Sequence, residues 1–353
     1  IDLTWKKLIR NARPDRDETL RYLTEERKLP TDLANTMLDR GYSIIRRESS
    51  ETTLKNEEQK LLKKHPALIS VGTNKIKVKG LKGGLLIPLY NLFENGETLL
   101  IDFHKRMFDG ETSKYIYLGS GRTDSYQRPS HTFVEGADKS KLIIVEGELK
   151  AEVASFYYGY DAVGLLGASG FNKVGEILNK LFECGRFYEE IYIAPDLDTY
   201  KKNTNIALAV AKAAIAIENL NVDVSFLVWH PLGSREKGID NYLLSSSEKP
   251  LEVNFLDFLR GCSEPIQAEI SRKFDKNETF KVLCDINSNL TVKMDQTFCN
   301  QMAANSISST LSSSEEEEVR ILRTFLFGES ESIGCNNEGE FVFNDGEKVL
   351  VDC

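Results

Sequence analysis

Four acidic residues in two short motifs are the side chains of this sequence best suited to chemistry. Glu146 and Glu148 enclose Gly147 directly after the apolar run "LIIV", and Asp196 and Asp198 follow "IYIAP". On an extended segment the residue between two acids points away, so both aspartates are expected to face one side. Crowded carboxylates repel each other, and a Mg²⁺ ion relieves that repulsion because it takes oxygen ligands and keeps positions for substrate phosphates. The motifs therefore predict a metal site for phosphate chemistry.

A structural explanation of the two aspartates also stays open. An Asp-x-Asp segment at the end of a strand can form a turn and cap the next helix. The first acidic motif favours the metal site, because ligands of an open α/β sheet bind beyond the carboxyl ends of its strands. The two strand ends can converge if the strands are neighbours. Asp240, in "GIDNYLL", either adds to this acidic site or caps the helix that begins there.

Glycine-rich turns accompany the acids. Gly147 lets the backbone turn sharply into a helix and lets a phosphate approach closely, although it also suits an ordinary strand-to-helix turn. The segment "GLLGASG" could cradle a phosphate in the same way. It has neither the Lys-Ser/Thr of a P-loop nor GxGxxG at a first βα turn, so alone it does not indicate a nucleotide-binding fold.

Strand and helix patterns alternate from residue 141 onward. The apolar runs "KLIIVEG", "EIYIAPDLD" and "DVSFLVWH" are separated by helical segments. Apolar strands with helices between them predict a parallel sheet that is covered on both faces. Between 75 and 120, short β-rich runs are separated by Gly-Gly, Asn-Gly and Asp-Gly, which predicts a small, largely antiparallel sheet.

These patterns divide the chain into four regions. Residues 1–72 form a helical segment, 73–138 a β-rich basic subdomain, 139–250 an α/β domain with a parallel, Rossmann-like sheet flanked by helices, and 251–353 a small α+β region of unknown role. The last region includes a hairpin with an Asp-Gly turn in "EFVFNDGEKVLV".

Composition favours a soluble cytoplasmic protein. Apolar residues make up 41% of the chain, and no stretch approaches the roughly 18 apolar residues of a membrane helix. The six cysteines form no CxxC pair and the four histidines have no metal-ligand spacing, which predicts reduced thiols and no structural zinc. The net charge is −9, yet residues 1–140 carry 25 Lys and Arg against 20 Asp and Glu. A phosphate backbone would therefore lie on the first part, unless the imbalance reflects only solvated faces.

Four motifs together resemble the TOPRIM domain, which primases, type IA and type II topoisomerases and some nucleases share. They are "LIIVEGELKA" (142–151), "GLLGASGF" (164–171), "IYIAPDLD" (191–198) and "KGIDNYLL" (237–244). The first motif is most similar to that of primase-like proteins of phages, plasmids and mobile elements. Lys150 stands where replicative primases usually have aspartate, and Asn241 stands where the last motif often has a second acid.

The resemblance extends more loosely to the region before these motifs. Residues 84–120 resemble the subdomain that precedes TOPRIM in primases, and 22–42 resemble a short helical element before it. In that subdomain basic residues face the template and the incoming nucleotide. The resemblance implies this role for Lys105, Arg106 and Lys114.

The resemblance implies nucleotidyl transfer that depends on Mg²⁺ or Mn²⁺. Asp196 and Asp198 would hold one or two ions, Glu146 would be a further ligand or a general base, and Glu148 would be a ligand or a helix-start acid. Asp240 would add to the metal site. Lys150 and Lys237 would contact phosphate, although a lysine there is more often only solvated.

The function implied is the synthesis of short primers on single-stranded DNA from nucleoside triphosphates, in the replication of a phage or mobile element. A replicative helicase domain or subunit is the expected partner. Two alternatives stay open, namely a metal-dependent TOPRIM nuclease and an inactive module that binds nucleic acid or a helicase. A topoisomerase is disfavoured, because it needs a nucleophilic tyrosine on a separate large domain, and no such architecture is visible.

Overall fold

The computed structural model describes residues 2–53, 65, 67–71, 75–108, 115–118, 128–229, 238–289 and three short strands between 333 and 349. The chain forms two compact units, Ile1–Tyr188 and Glu189–Cys353. The boundary between them falls inside the predicted 139–250 domain. Lys114 and Lys237 lie outside the described residues.

The first unit combines helices with three groups of paired strands. Its helical elements are α1 (Asp2–Asn11), α2 (Arg16–Arg21) followed by a π-helical turn (Tyr22–Glu26), α3 (Thr31–Asp39), α4 (Glu148–Tyr158), a 3-10 turn (Ala168–Lys173) and α5 (Val174–Glu183). Its strands are β1 (Pro14–Asp15), β2 (Ser43–Ile45), β3 (Ser49–Thr53), β4 (Leu68–Ser70), β5 (Lys75–Lys79), β6 (Gly84–Leu92), β7 (Thr98–Met107), β8 (Tyr115–Tyr117), β9 (His131–Val134), β10 (Asp138–Glu146) and β11 (Tyr160–Leu165).

Two antiparallel sheets precede the parallel strands. One has the order β1-β2-β6-β7-β8, and the other has the order β3-β5-β4. Gly96 closes the β6–β7 connection with a φ of 76°, a conformation that glycine adopts without steric cost. The antiparallel pairing predicted for residues 75–120 is therefore present, but the single sheet predicted there is wrong. Strand β5 pairs with β3 and β4, which lie in the segment 1–72 predicted to be helical, whereas β6, β7 and β8 belong to the other sheet.

The parallel part of the first unit is the β10–β11 pair. Ile143 lies opposite Ala162 and Glu146 opposite Leu165, while β9 pairs with the other side of β11 in the antiparallel sense. Residues 142–145 of β10 are all buried, as expected for a strand covered on both faces.

Helix α1 packs against the small β3-β5-β4 sheet. Trp5 and Leu8 are fully buried in a cluster that also contains Ile76 and Val78 of β5. The indole N–H of Trp5 donates a hydrogen bond to the carbonyl of Ile101 at 3.0 Å, which satisfies its polar atom inside the core. The cluster thus covers one face of the small sheet.

The second unit contains both parallel and antiparallel pairing. Its strands are β12 (Glu190–Ala194), β13 (Asp223–Val228), β14 (Leu251–Val253), β15 (Ile333–Cys335), β16 (Phe341–Phe343) and β17 (Lys348–Val349). Its helices are α6 (Asp198–Lys202), α7 (Thr204–Glu218), α8 (Ile239–Ser245), α9 (Phe255–Gly261), α10 (Glu264–Phe274) and α11 (Glu278–Asn289). Strand β12 runs parallel to β13, and β14 is antiparallel to β13.

Aromatic packing and hairpin pairing complete the second unit. Phe226 of β13 stacks on Phe258 of α9 with 4.5 Å between ring centroids. The predicted C-terminal hairpin is present as the antiparallel pair β16–β17. A mixed α/β fold that contains parallel strands is confirmed by the β10–β11 and β12–β13 pairs. Among the described residues, no helix has the length and apolar character needed to cross a membrane.

Candidate functional site

The first acidic motif forms a tight turn between β10 and α4. Glu146 is the last residue of the strand, Glu148 is the first of the helix, and Gly147 between them has a φ of 103°. The Gly147 N–H donates to the carbonyl of Leu165 at 2.8 Å, so the turn is tied to the end of β11. Gly147 makes the predicted sharp turn from strand to helix, because residues that have a side chain rarely adopt this backbone φ.

Gly164 of β11 allows the start of α4 to approach the sheet. A Cβ at this position would lie 2.7 Å from the Gly147 carbonyl oxygen and 3.0 Å from the Cα of Glu148. Gly164, the first glycine of "GLLGASG", therefore lets the acidic turn pack closely against β11 because it has no side chain. The interpretation as a phosphate cradle remains a prediction.

We expect Gly164→Ala to destabilise the first unit by about 1–3 kcal/mol, because the new methyl group forces the acidic turn away from β11. Urea unfolding followed by circular dichroism measures the change. Gly96→Ala is a reference for the strain of positive φ alone, since its Cβ would enter open space. A loss below about 0.5 kcal/mol in Gly164→Ala would show that the close approach has no energetic role.

Glu148 is buried and bound to a histidine of another sheet. Its Oε1 makes a short contact with Nδ1 of His104 on β7. The His104 ring stacks on Tyr115 of β8 with 5.4 Å between centroids. The structure therefore gives Glu148 a partner that links β7 to the first turn of α4, a role that motif spacing did not reveal.

His104→Phe keeps an aromatic ring beside Tyr115 and removes the nitrogen that contacts Glu148. We expect a loss of about 1–3 kcal/mol of unfolding free energy, because the buried carboxylate loses its partner. In a double-mutant cycle with Glu148→Gln, the coupling energy should be at least about 1 kcal/mol. Additive losses in urea unfolding would contradict the pairing.

A second buried acid lies one turn further along α4. The phenol O–H of Tyr42 donates to Oε1 of Glu152 at 3.2 Å, and Nε of Arg40 lies 3.2 Å from the same oxygen. Burial raises the pKa of Glu152, while Arg40 and Tyr42 act in the opposite direction. The Arg40 guanidinium also lies 4.8 Å from the centroid of the Tyr90 ring. This cluster ties the end of α3 and strand β6 to the helix that follows the acidic turn.

The basic residues inferred for β7 are engaged within the fold. Lys105 is 4% exposed, and its Nζ donates to the carbonyls of Gly80 and Lys82 at 2.9 and 3.0 Å. Burial lowers the pKa of Lys105. Arg106 donates to the phenol oxygen of Tyr115 at 2.9 Å and is only partly buried. Because its Nζ is held inside the fold, Lys105 is not positioned to contact nucleic acid, whereas the predicted contact of Arg106 stays a prediction.

Lys150 occupies the first turn of α4 and is partly buried. Its contact with phosphate stays a prediction. The same holds for Lys114 and Lys237, which lie outside the described residues.

The second acidic motif is a turn that leads from β12 into α6. Asp196 is 4% exposed, and Asp198 is the first residue of α6. Leu197 has helical angles, φ −58° and ψ −26°, and the Thr199 N–H donates to the Asp196 carbonyl at 2.9 Å. The expectation that strand alternation points both acids to one side is therefore wrong, because the segment is not extended. The turn expected under the structural explanation is present, together with a buried carboxylate at the strand end.

Asp240 lies in the first turn of α8 and is also buried. A negative charge at this position interacts favourably with the helix N-terminus. The N-cap of α8 is Gly238, so the prediction that Asp240 caps this helix is wrong, and its role as a metal ligand stays a prediction.

The acidic motifs provide oxygen donors for a divalent ion. Within the described ranges, no group of three or more His, Cys, Asp or Glu side chains is arranged to hold a metal ion. Mg²⁺ does not need such a group, because it is commonly bound by one or two carboxylates together with waters and substrate phosphates. Asp196 and Asp198 fit that donor chemistry.

Two sequence comparisons bear on the chain. Residues 133–250 match a family model described as a domain of unknown function, DUF3854. The matched segment contains both acidic motifs and the "GLLGASG" turn. No curated protein matches the chain.

Several solved primase structures are similar to this chain. The RNA polymerase domain of Mycobacterium tuberculosis primase DnaG is 14% identical, with a TM-score of 0.46, over 82% of this chain and 95% of that one. The E. coli primase catalytic core is 13% identical, with a TM-score of 0.44, over 89% and 97%. A DnaG primase catalytic domain bound to ssDNA is 14% identical, with a TM-score of 0.44, over 82% and 96%. At these identities and scores the likeness assigns no residue role to this chain.

Proposed function

We propose that this chain is a primase-like nucleotidyltransferase that uses Mg²⁺ or Mn²⁺ to make short primers on single-stranded DNA. The observation that carries the proposal is the order of the four TOPRIM-like motifs, two of which place acids at the end of a strand. Glu146 ends β10, and the Asp196–Asp198 turn begins two residues after β12 ends. These are the strand ends at which α/β sheets bind ligands.

The chain's own residues have distinct roles in the proposed reaction. Asp196 and Asp198 hold the divalent ion, whose chemistry is to neutralise the triphosphate and activate the attacking 3′ oxygen. Glu146 is a further ligand or the general base that accepts the 3′ proton. Glu148 is bound by His104, so we assign it to positioning the turn that carries Glu146.

The phosphate and template contacts are proposed for basic residues of both units. Arg106 is partly exposed beside Tyr115, and Lys150 is on the first turn of α4. Lys114 and Lys237 belong to the same proposal from motif position alone. The resemblance to mobile-element primases further makes a replicative helicase domain or subunit the expected partner. The spread of the six cysteines, without a CxxC pair, makes the cytoplasm the expected compartment.

The test is incubation of the full chain with a single-stranded template, labelled nucleoside triphosphates and Mg²⁺ or Mn²⁺. We expect short products made de novo that depend on the template and disappear with EDTA. Degradation of the template without new products would replace the primase with the nuclease alternative. Binding without either reaction would leave the inactive module.

A further inference from the structure

The central strand of the small β3-β5-β4 sheet carries three lysines on one face. Along β5, Ile76 and Val78 are buried in the cluster formed with α1, whereas Lys75 and Lys79 are exposed and Lys77 is partly exposed. Because side chains alternate along a strand, the three lysines form a line on the face opposite α1. Their positions are about 6.7 Å apart along the strand.

The usual structural reasons for lysines in a sheet do not account for this line. Lysine protects exposed sheet edges from pairing, but β5 is the middle strand of this sheet. Lysine is also disfavoured in strands in general. Opposite Lys75 and Lys79 on β3 are the hydroxyl residues Thr53 and Ser49. The line is therefore not a ladder of ion pairs.

Within the described part of this sheet, one acid lies on the same face as the lysines, and most of the positive charge of the face remains. Glu51 is opposite Lys77, with 3.5 Å between its Oε1 and the lysine Nζ. Both side chains are partly exposed, so solvent screens the pair. Among the described residues of this face, three lysines against one glutamate give an excess of two positive charges.

Apolar side chains border the lysines on the other neighbouring strand. Ile69 of β4 is opposite Lys77 and is 41% exposed, and Val71, directly after β4, is 40% exposed. We call Lys75, Lys77, Lys79, Ile69 and Val71 the lysine face. It offers a line of cations beside apolar surface.

We propose that the lysine face binds a single strand of nucleic acid. Successive phosphates of an extended strand are separated by a distance comparable to that between alternate residues of β5, so Lys75, Lys77 and Lys79 can each meet a phosphate. Ile69 and Val71 contact sugars and unpaired bases, which are accessible in a single strand and stacked inside a duplex. The choice of single-stranded DNA as the ligand rests on the proposed function, although binding itself requires no metal.

The experiment measures the binding of fluorescein-labelled oligo(dT) to the full chain by anisotropy, in EDTA, over a series of NaCl concentrations. Lys75→Gln/Lys79→Gln should bind more weakly. Its slope of log affinity against log salt should be less steep by about 1.4, which is 0.7 for each lost phosphate contact. Lys75→Arg/Lys79→Arg keeps the charge and should keep the slope.

Lys273→Gln/Lys276→Gln is the matched control, because it changes net charge equally at exposed residues at the C-terminal end of α10 and just beyond. An equal change of slope in this control, or no change in Lys75→Gln/Lys79→Gln, overturns the proposal. Equal competition by a duplex or by polyglutamate overturns the assignment to a single strand. Thermal unfolding verifies that the variants remain folded.

This result is separable from the outcome of the priming assay. If the wild-type chain makes no primers but the slope changes as expected, the proposed function fails and the lysine face stands. If primers are made and the slope is unchanged, the lysine face fails and the proposed function stands.

Discussion

Under the proposed function we expect Asp196→Asn to lower primer synthesis at least about a thousandfold, which corresponds to about 4 kcal/mol of transition-state stabilisation. The amide has the shape of the carboxylate but lacks the negative charge that a divalent ion requires. The backbone bond from the Thr199 N–H to the residue 196 carbonyl remains, so the turn after β12 should persist. The measurement is the initial rate of product formation on a single-stranded template.

Asp223→Asn is the control for that experiment. Asp223 is an exposed acid at the start of β13 in the same unit, and its replacement removes the same charge. We expect the control to keep the wild-type rate and both variants to keep their affinity for oligo(dT) in EDTA. An Asp196→Asn protein that retained more than about a tenth of the activity would remove Asp196 from the metal site.

We expect Arg40→Met to destabilise the first unit by about 3–5 kcal/mol at pH 7, because Glu152 then remains buried without its cation. Arg40 Nε lies 3.2 Å from Glu152 Oε1, and the Glu152 side chain is only 4% exposed to solvent. The added replacement Glu152→Leu should recover most of the loss, since no charge is then left buried. Urea unfolding at constant pH measures each value.

The pH dependence of the Arg40→Met variant follows from the pKa of Glu152. Burial raises that pKa and Arg40 lowers it, so removing Arg40 raises it further. A folded-state pKa above the unfolded value means that the folded state binds the proton more tightly, so stability falls as pH rises between the two values. The penalty of the variant should therefore be smaller at pH 5 than at pH 7.

Arg16→Met is the matched control for both measurements. Arg16 pairs with Asp39 at 3.2 Å, and both side chains are more than half exposed. Exposed pairs contribute only about 0–1 kcal/mol. A loss in Arg40→Met no larger than in this control would contradict a stabilising role of the buried pair.

Local sequence signals were sufficient to predict the strand and the helix that carry Glu146 and Glu148. The buried run 142–145, followed by Glu146 and Gly147, predicted a strand that ends in a sharp turn, and β10 and α4 have that arrangement. Apolar runs and a glycine of special φ act over a few residues, so they are legible without tertiary information. The backbone conformation of Leu197 could not be predicted, because an Asp-x-Asp sequence is compatible with an extended segment and with a helical turn.

The partners of the acids could not be predicted from the sequence. Glu148 meets His104 and Glu152 meets Arg40, and each pair joins residues that are far apart in the chain. Lys105 illustrates the same difficulty. Three consecutive polar residues, His104 to Arg106, do not show which side of β7 faces the interior, and the structure directs Lys105 to carbonyls of the 80–82 turn.

The most direct measurement of the proposed metal site is Mn²⁺ binding by the full chain, followed by electron paramagnetic resonance. For the wild-type chain we expect saturable binding of one or two ions. In Asp196→Asn/Asp198→Asn the affinity should fall by far more than the 10- to 100-fold typical of losing an outer-sphere partner. Identical binding curves for the two proteins would contradict the assignment of these aspartates to a divalent ion.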